Sequence, residues 1–501
     1  MKRRDILGSA AAMLAVAVWY RRASAQADVQ GLTVRMLTGE QVAIDATAVK
    51  ELKAGLQGDL LVAGTPGYDS ARVIWNAAID RHPAVIIRCA GTEDVARAVR
   101  FAARQNAVLS VRGGGHNAVG FAVAEGGVMI DLTRMSGVAV DPDKRTAHAG
   151  GGATFANYDA TTHQSGLAST GPIISMVGLG GYTLGGGIGW LHRELGLGCD
   201  NLIAAEMVTA NGQVLAASAT ENPDLFWALR GGGGNFGVAT SLLYRLSPVN
   251  DVIAGLIFHP LEELPKVAAF VRDFNAHASD EMCVWLLMRK APASPALPKE
   301  LHGRPVVAIG LCYAGADEAG EQAVAPLRQF GKPLIDLVKT RPYPDWQRSL
   351  DGAWGNGFRN RWVGHYLPEL TGAAAATLLE NVAKVPSPFT DVKLATMGGA
   401  VARVGENDTA FSYRDSKYAL VIQTRWKSPD EDKVQLAWTQ DFFDAMKPYS
   451  TGKVYVNFIA DEGEGRVADA YNPQSLARLR TIKAKYDPGN LFRMNQNIRP
   501  A

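Results

Sequence analysis

Seven glycines fall within the twelve residues Gly178-Leu179-Gly180-Gly181-Tyr182-Thr183-Leu184-Gly185-Gly186-Gly187-Ile188-Gly189, a density that excludes ordinary helix and central strand. Each such glycine weakens a regular element, so a chain that groups them uses their missing side chains for close approach to the backbone. Two readings satisfy this. The run is a set of tight turns packing two layers together, or it lies against a bound ligand.

A second glycine turn carries a titratable group. Val111-Arg112-Gly113-Gly114-Gly115-His116-Asn117 reads as a strand running into three glycines, whose backbone N–H groups would form a concave nest suited to a diphosphate. His116 stands at the rim, where an aromatic ring extending from that diphosphate would meet its imidazole; the alternative is a histidine bonded only to backbone. A third run, Gly231-Gly232-Gly233-Gly234-Asn235-Phe236-Gly237, contains GxGxxG. A nicotinamide Rossmann turn follows a strand and opens a helix, whereas residues 224–230 read as a helix end and residues 238–244 as a strand. A Rossmann site is therefore disfavoured.

At 501 residues and 47% hydrophobic, the chain is long enough for two domains. Its 51 basic side chains nearly balance 49 acidic ones without a long run of one sign, which argues against nucleic acid as a partner. Cys89, Cys199, Cys283 and Cys312 are too widely spaced for a metal finger or a disulfide framework, and no metal site is expected. At the start, Lys2, Arg3 and Arg4 precede an apolar stretch, residues 6–20, that ends at Ala23-Ser24-Ala25. That is a signal peptide pattern over residues 1–25, too short for a stable membrane span, and it predicts export to the periplasm or beyond. The arginine pair resembles the twin-arginine signal; Sec export is the alternative.

Between residues 83 and 248 short strand-like runs, 84–88, 108–112 and 127–131, alternate with helical segments. The helix expected over 92–105 starts on a Thr cap and puts Val95, Ala98, Val99 and Ala102 on one face. From 251 to 450 glycine thins out, and helices over 261–277 and 372–385 alternate with strands over 304–313 and 418–426. The last residues are expected to form a strand, 453–460, then a helix, 473–485.

Several motifs act together here. They are the stretch from Arg112 to Asn117, the 178–189 run, Leu195-Gly196-Leu197-Gly198-Cys199-Asp200-Asn201, the residues 222–231, Tyr455-Val456-Asn457-Phe458, and residues 483–492 followed by Asn495-Gln496-Asn497-Ile498. In combination they resemble the berberine bridge enzyme-like FAD-linked oxidases of the vanillyl-alcohol oxidase superfamily. The resemblance covers nearly the whole chain after residue 25. It implies an α+β fold with a two-part FAD-binding domain of PCMH type, residues 28–250 and 451–501. Inserted between them is an α/β substrate domain, residues 251–450, whose antiparallel sheet covers the flavin.

The resemblance further implies FAD bonded covalently through His116 to its 8α-methyl group. Arg112, Gly113, Gly114, Gly115, Asn117, Val177, Gly178, Gly181, Gly185, Gly186, Gly187, Asp200, Val208, Tyr455, Asn457, Asn495 and Asn497 fall at cofactor positions. Ile174 stands where many relatives place a second, cysteinyl attachment, so a single link is expected, and Cys199 is a poor substitute. Val177 occupies the position where valine leaves room for oxygen and leucine blocks it, which favours an oxidase. Phe458 replaces the tyrosine that serves some relatives as base, and Phe accepts no proton. On the strand expected over 418–426, Val421, Gln423 and Arg425 share a face, which makes Gln423 the polar candidate, with Tyr455 and Tyr182 beside it; a surface strand would show the same alternation. Tyr413, Arg414 and His365 are secondary candidates. The implied activity is oxidation of a small alcohol, amine, phenol or sugar by hydride transfer to flavin, with oxygen reduced to hydrogen peroxide. The alternatives are a dehydrogenase serving a quinone or cytochrome, and a non-catalytic periplasmic ligand-binding protein.

Overall fold

The β-rich runs before residue 132 pair into one sheet. Val85–Arg88, Val128–Asp131 and Leu109–Arg112 lie parallel in that spatial order, and Asp59–Leu61 adds antiparallel to the first. The computed structural model describes residues 32–501, so the expected signal peptide lies outside the described residues. The helix Thr92–Arg104 buries Val95, Ala98, Val99 and Ala102 completely, as their spacing predicts. Its start differs from expectation. Gly91 is the N-cap, and the Thr92 hydroxyl donates instead to Glu206 at 2.7 Å. Asp94 does the anchoring, its buried carboxylate accepting from the N–H groups of Gln57, Gly58 and Ala90, each at 2.9 Å.

A second sheet has five antiparallel strands, in the order Val214–Ser218, Leu202–Val208, Val238–Arg245, Thr146–Gly150 and Val138–Asp141. The glycine runs meet beside it. A Cβ on Gly114 would stand 2.4 Å from Gly178 N, and one on Gly178 would stand 2.4 Å from Gly114 N. Two backbones therefore cross in contact, and both positions must be glycine. The 178–189 run is not wholly irregular, contrary to expectation, because Leu179–Leu184 forms a short buried helix. Its glycines are used for close approach at its ends: Gly187 has φ +99°, and a Cβ on Gly189 would overlap the Gly171 carbonyl.

The third sheet has eight strands and is antiparallel throughout. Its main path runs Ile335–Asp336, Asp251–Pro260, Pro305–Tyr313, Met282–Lys290, Asp391–Thr396, Tyr418–Trp426 and Arg359–Leu367, with Lys339–Pro342 also paired to Asp251–Pro260. Side chains alternate between two cores. From one strand Val284, Leu286 and Met288 pack under the helices Leu264–Asn275, Gly372–Ala383 and Asp432–Met446, while Cys283, Trp285 and Leu287 face the glycine runs. Period-two alternation here separates two buried faces rather than core from solvent. Tyr418–Trp426 is buried along its whole length, which removes the surface-strand reading of Gln423.

The expected strand over 453–460 is absent. A 3-10 turn, Val456–Phe458, takes its place, and Phe458 N–H donates to the Tyr455 carbonyl at 2.8 Å. A strand would send alternate side chains to opposite faces, whereas this turn brings Tyr455, Val456, Asn457 and Phe458 to one cavity. The helix Pro473–Tyr486 then returns the chain to the glycine-rich half. Its Lys483, fully buried, spends its three donors on the Asn235 carbonyl at 2.7 Å, Asp487 at 2.6 Å and the Phe492 carbonyl at 2.9 Å. Among the described residues no helix is long and apolar enough to cross a membrane.

Where helix Phe155–His163 meets helix Tyr343–Arg348, Asp159 is buried against Gln347, whose amide donates to it at 3.2 Å. Burial raises its carboxyl to about 8. The folded chain thus keeps a proton that the unfolded chain sheds near the ordinary aspartate value of 3.8, and stability falls as pH rises between the two values. The contribution of this one group is about 1.4 kcal/mol per pH unit in that window. Asp159→Asn should therefore lose less stability than wild type when urea unfolding is compared at about pH 5 and about pH 7.5; equal losses would disprove the assignment.

Candidate functional site

Between the glycine runs and the inner face of the third sheet lies a cavity of about 320 Å3, within the range of cofactor sites. One wall is backbone. Gly113, Gly114, Gly115, Gly178 and Gly181 line it together with Gly232, Gly233 and Gly234 of the third run. A Cβ on Gly181 or Gly234 would meet nothing within 4 Å, so these glycines leave open space. The opposite wall carries Trp285, Lys393, Val421 and Gln423, and the turn from Tyr455 to Phe458 closes one end.

His116 sits at the junction of the two walls. Its ring stacks on Trp75 with centroids 4.2 Å apart, and the Trp75 indole is fixed by donating to the Trp354 carbonyl at 2.8 Å. The buried Nε2 of His116 has no hydrogen-bond partner. Burial, assisted by the neighbouring Arg425 guanidinium, holds its pKa down at about 3. At neutral pH the ring is therefore an uncharged imidazole on the cavity wall, one of whose two nitrogens carries a lone pair. Such a group is a nucleophile.

The expected cofactor residues divide. Asn117, Val177, Asn457 and Asn495 line the cavity with the glycines, and so does Ile174. Asn117 braces its own loop by accepting from Val119 and Phe121 N–H at 3.1 and 3.2 Å. Asn495 donates to the carbonyls of Gly234 and Phe492 and leaves its Oδ1 unpartnered. Gly185, Gly186 and Gly187 stand one layer back, where a Cβ would strike Asn457, Phe411 and Tyr182 respectively. Arg112 also lies behind the wall, donating to the Ala71 carbonyl. Three of the expected residues stand apart from the cavity. Asp200 is taken up by a buried two-pronged pair with Arg414 at 2.7 and 2.9 Å, Val208 is buried in the first-sheet core, and Asn497 borders a separate small pocket. None of the three lines the cavity.

Of the reacting-group candidates, Gln423, Tyr455 and Tyr182 all line the cavity. The Tyr455 hydroxyl accepts from Gly187 N–H and from the Asn457 amide, each at 2.7 Å. Tyr182 is buried with its hydroxyl unpartnered, and burial holds its pKa well above the usual tyrosine range. Arg425 is buried behind Gln423, bonded to Asn360 and to the carbonyls of Ala353 and Gly355. The secondary candidates do not reach the site. Tyr413 donates to the Tyr471 carbonyl, Arg414 pairs with Asp200, and His365 is bonded to the Phe443 carbonyl. None of the four cysteines lines the cavity.

Sequence reasoning misses Lys393. It is fully buried on Asp391–Thr396, donates to Gln423 Oε1, and its Nζ lies 3.3 Å from the Trp354 ring centroid. The signal is a lysine within the otherwise apolar run Val392-Lys393-Leu394-Ala395. The third glycine run also drops from view once its Rossmann reading fails, although four glycines before an asparagine are sign enough of close approach.

Comparisons with known proteins agree with this geometry. Residues 83–218 match the FAD binding domain family, and residues 454–499 match the berberine and berberine-like family. The chain is 30% identical to the FAD-linked oxidoreductase YgaK of Bacillus subtilis over 455 residues, 89% of this chain and 98% of that one. It is equally similar, at 30% over 469 residues, to (R)-6-hydroxynicotine oxidase of Paenarthrobacter nicotinovorans, covering 89% of this chain and 97% of the relative. The solved structure of 6-hydroxy-D-nicotine oxidase from Arthrobacter nicotinovorans superposes with a TM-score of 0.80 at 27% identity, over 89% of this chain and 99% of that one. Chitooligosaccharide oxidase shares the fold, with a TM-score of 0.79 at 24% identity, over 91% of this chain and the whole of the other.

Tyr455 ties the end turn to the 178–189 run. Tyr455→Phe leaves the buried Gly187 N–H without its acceptor and should destabilise the protein by about 1–3 kcal/mol. Denaturant unfolding measures this, and an unchanged midpoint would show that the bond contributes nothing.

Proposed function

We propose, from the premise that this chain belongs to the berberine bridge enzyme-like family of FAD-linked oxidoreductases, that it is an exported oxidase holding FAD covalently through His116. The single observation that carries this is the unpartnered, buried Nε2 of His116 at the edge of a cradle made of glycine backbone. FAD fits that donor set. The backbone wall at Gly113–Gly115 and Gly178 offers N–H groups to a diphosphate, and His116 offers a neutral ring nitrogen to a flavin methyl group. Asn457 and Asn495 supply amide contacts, and the open spaces at Gly181 and Gly234 accept a ligand without steric conflict.

Bound there, FAD supplies a two-electron acceptor, reoxidised by oxygen with release of hydrogen peroxide. The chain's own work is to place the substrate. Gln423 and Lys393 face the cavity from the sheet, the tryptophans exclude water, and Val177 leaves the wall beside Gly178 narrow in side chain. That last feature supports oxygen entry and favours an oxidase over a dehydrogenase serving a quinone or cytochrome. The name of the relative (R)-6-hydroxynicotine oxidase supports a small ring compound as substrate. The leader pattern of residues 1–25 supports a periplasmic location, reached by the export machinery with the fold complete.

Two experiments test the proposal. Wild-type protein unfolded in acid should stay yellow in the pellet, while His116→Ala should yield a colourless pellet; colour lost from wild type to the supernatant would rule out the covalent link. In stopped flow, substrate-reduced enzyme mixed with aerated buffer should reoxidise and release peroxide, and enzyme that remains reduced would identify a dehydrogenase.

A further inference from the structure

Four titratable side chains line the cavity: His116, Tyr182, Lys393 and Tyr455. His116 is committed to the cofactor in the proposed flavoprotein, and the roles of the other three rest on that assignment. Burial raises both tyrosines, so neither ionises readily, and the Tyr455 hydroxyl is already occupied as an acceptor. Phe458, in the end turn, has no proton site. Lys393 remains.

We infer that Lys393 is the general base of this site, and that its substrate is a neutral, largely apolar aromatic alcohol whose hydroxyl proton it takes. The amine is held for this task. Its Nζ donates to Gln423 Oε1 and lies over the Trp354 ring, on the wall of the cavity. Charged and titratable groups face it from the neighbouring elements. Asp391 on the same strand is paired with Arg289 of the adjacent strand at 3.1 Å, Arg425 stands on the other adjacent strand, and His116 faces it from the glycine turn. Burial acts most strongly, Arg289 and Arg425 act with it, and only Asp391 opposes, so the lysine pKa falls well below its usual range. A neutral amine carries the lone pair that a base needs.

The walls select the substrate. Trp285, Trp354, Trp362, Ile173, Val421 and Phe458 offer aromatic and aliphatic surface, and no carboxylate lines the cavity. A protonated amine would enter without a counter-charge. A sugar would bring several hydroxyls to a sheet-side wall whose polar side chains, indoles apart, are Lys393 and Gln423, and each unpaired group opposes binding. An aryl-methanol matches both the surface and the single base. Its O–H proton goes to Lys393 Nζ, its carbinol C–H electron pair leaves as hydride to the flavin oxidant, and the O–H bonding pair becomes the second C–O bond of the aldehyde. Lys393 then returns its proton to solvent.

The test uses flavin-loaded wild type, Lys393→Met and Lys393→Arg, mixed anaerobically with 4-methoxybenzyl alcohol, 4-methoxybenzylamine or cellobiose while flavin absorbance is followed. The alcohol should bleach wild type. Both variants should slow that bleaching by about 100- to 10,000-fold and lose the acid limb of its pH profile, the arginine variant included because charge without basicity is insufficient. A readout independent of turnover is the titration of 13C-methylated Lys393 by NMR, assigned by its absence from Lys393→Met, which should fall well below that of the other lysines. Ordinary titration near ~10.4 would overturn the inference even if the variants fail to fold. So would bleaching by the amine or sugar but not the alcohol, bleaching by none of them, or an unaltered pH profile in Lys393→Met. Those outcomes leave the flavoprotein assignment standing, whereas wild type purified without flavin sinks that assignment and the role of Lys393 together.

Discussion

The contact between Gly114 and Gly178 is the constraint on which the rest of this structure depends. Two glycine backbones cross with no room for a methyl group, and the crossing sets the distance between the strand Leu109–Arg112 and the buried helix Leu179–Leu184. That spacing leaves His116 at the edge of a cavity instead of in a packed core. It also explains why the chain concentrates residues that weaken both helix and strand. Their free-energy cost in regular structure is offset by contacts that no other residue permits.

The cavity joins two unlike environments. On the glycine side, hydrogen-bonding groups belong to the backbone and suit an extended anion. On the sheet side they belong to Lys393 and Gln423, set among indole rings. A cation held in such a place is poorly solvated, and its charge is borne by Asp391 only at second hand, since that carboxylate is already paired to Arg289. The same burial keeps the His116 ring uncharged. Two nitrogen bases of ordinary type thus meet water-poor surroundings that withhold protons from both.

Much of this is legible in the sequence, for identifiable reasons. The close approach at the Gly113–Gly115 and 178–189 runs and the helix Thr92–Arg104 follow from local chemistry and periodicity, and His116 lines the cavity beside those runs. The turn from Tyr455 to Phe458 reads wrongly as a strand because its β-prone residues carry no record of the cavity they serve. The pairing of Asp200 escapes the sequence because its partner, Arg414, lies more than two hundred residues away, and such pairing is decided by tertiary folding alone. Lys393 escapes for a similar reason. A lysine in an apolar strand usually marks an exposed edge, and only the strand order places this one between two covered neighbours.

The buried ammonium of Lys483 binds the third glycine run to the last turn of the protein, through the carbonyls of Asn235 and Phe492. Those residues are separated along the chain by the whole of the sheet that carries Lys393. A growing polypeptide leaving the ribosome therefore presents Gly113 to Gly237 long before the segment that seals them. The third glycine run thus waits for a segment made after the intervening sheet before one ammonium can hold the Asn235 and Phe492 carbonyls together.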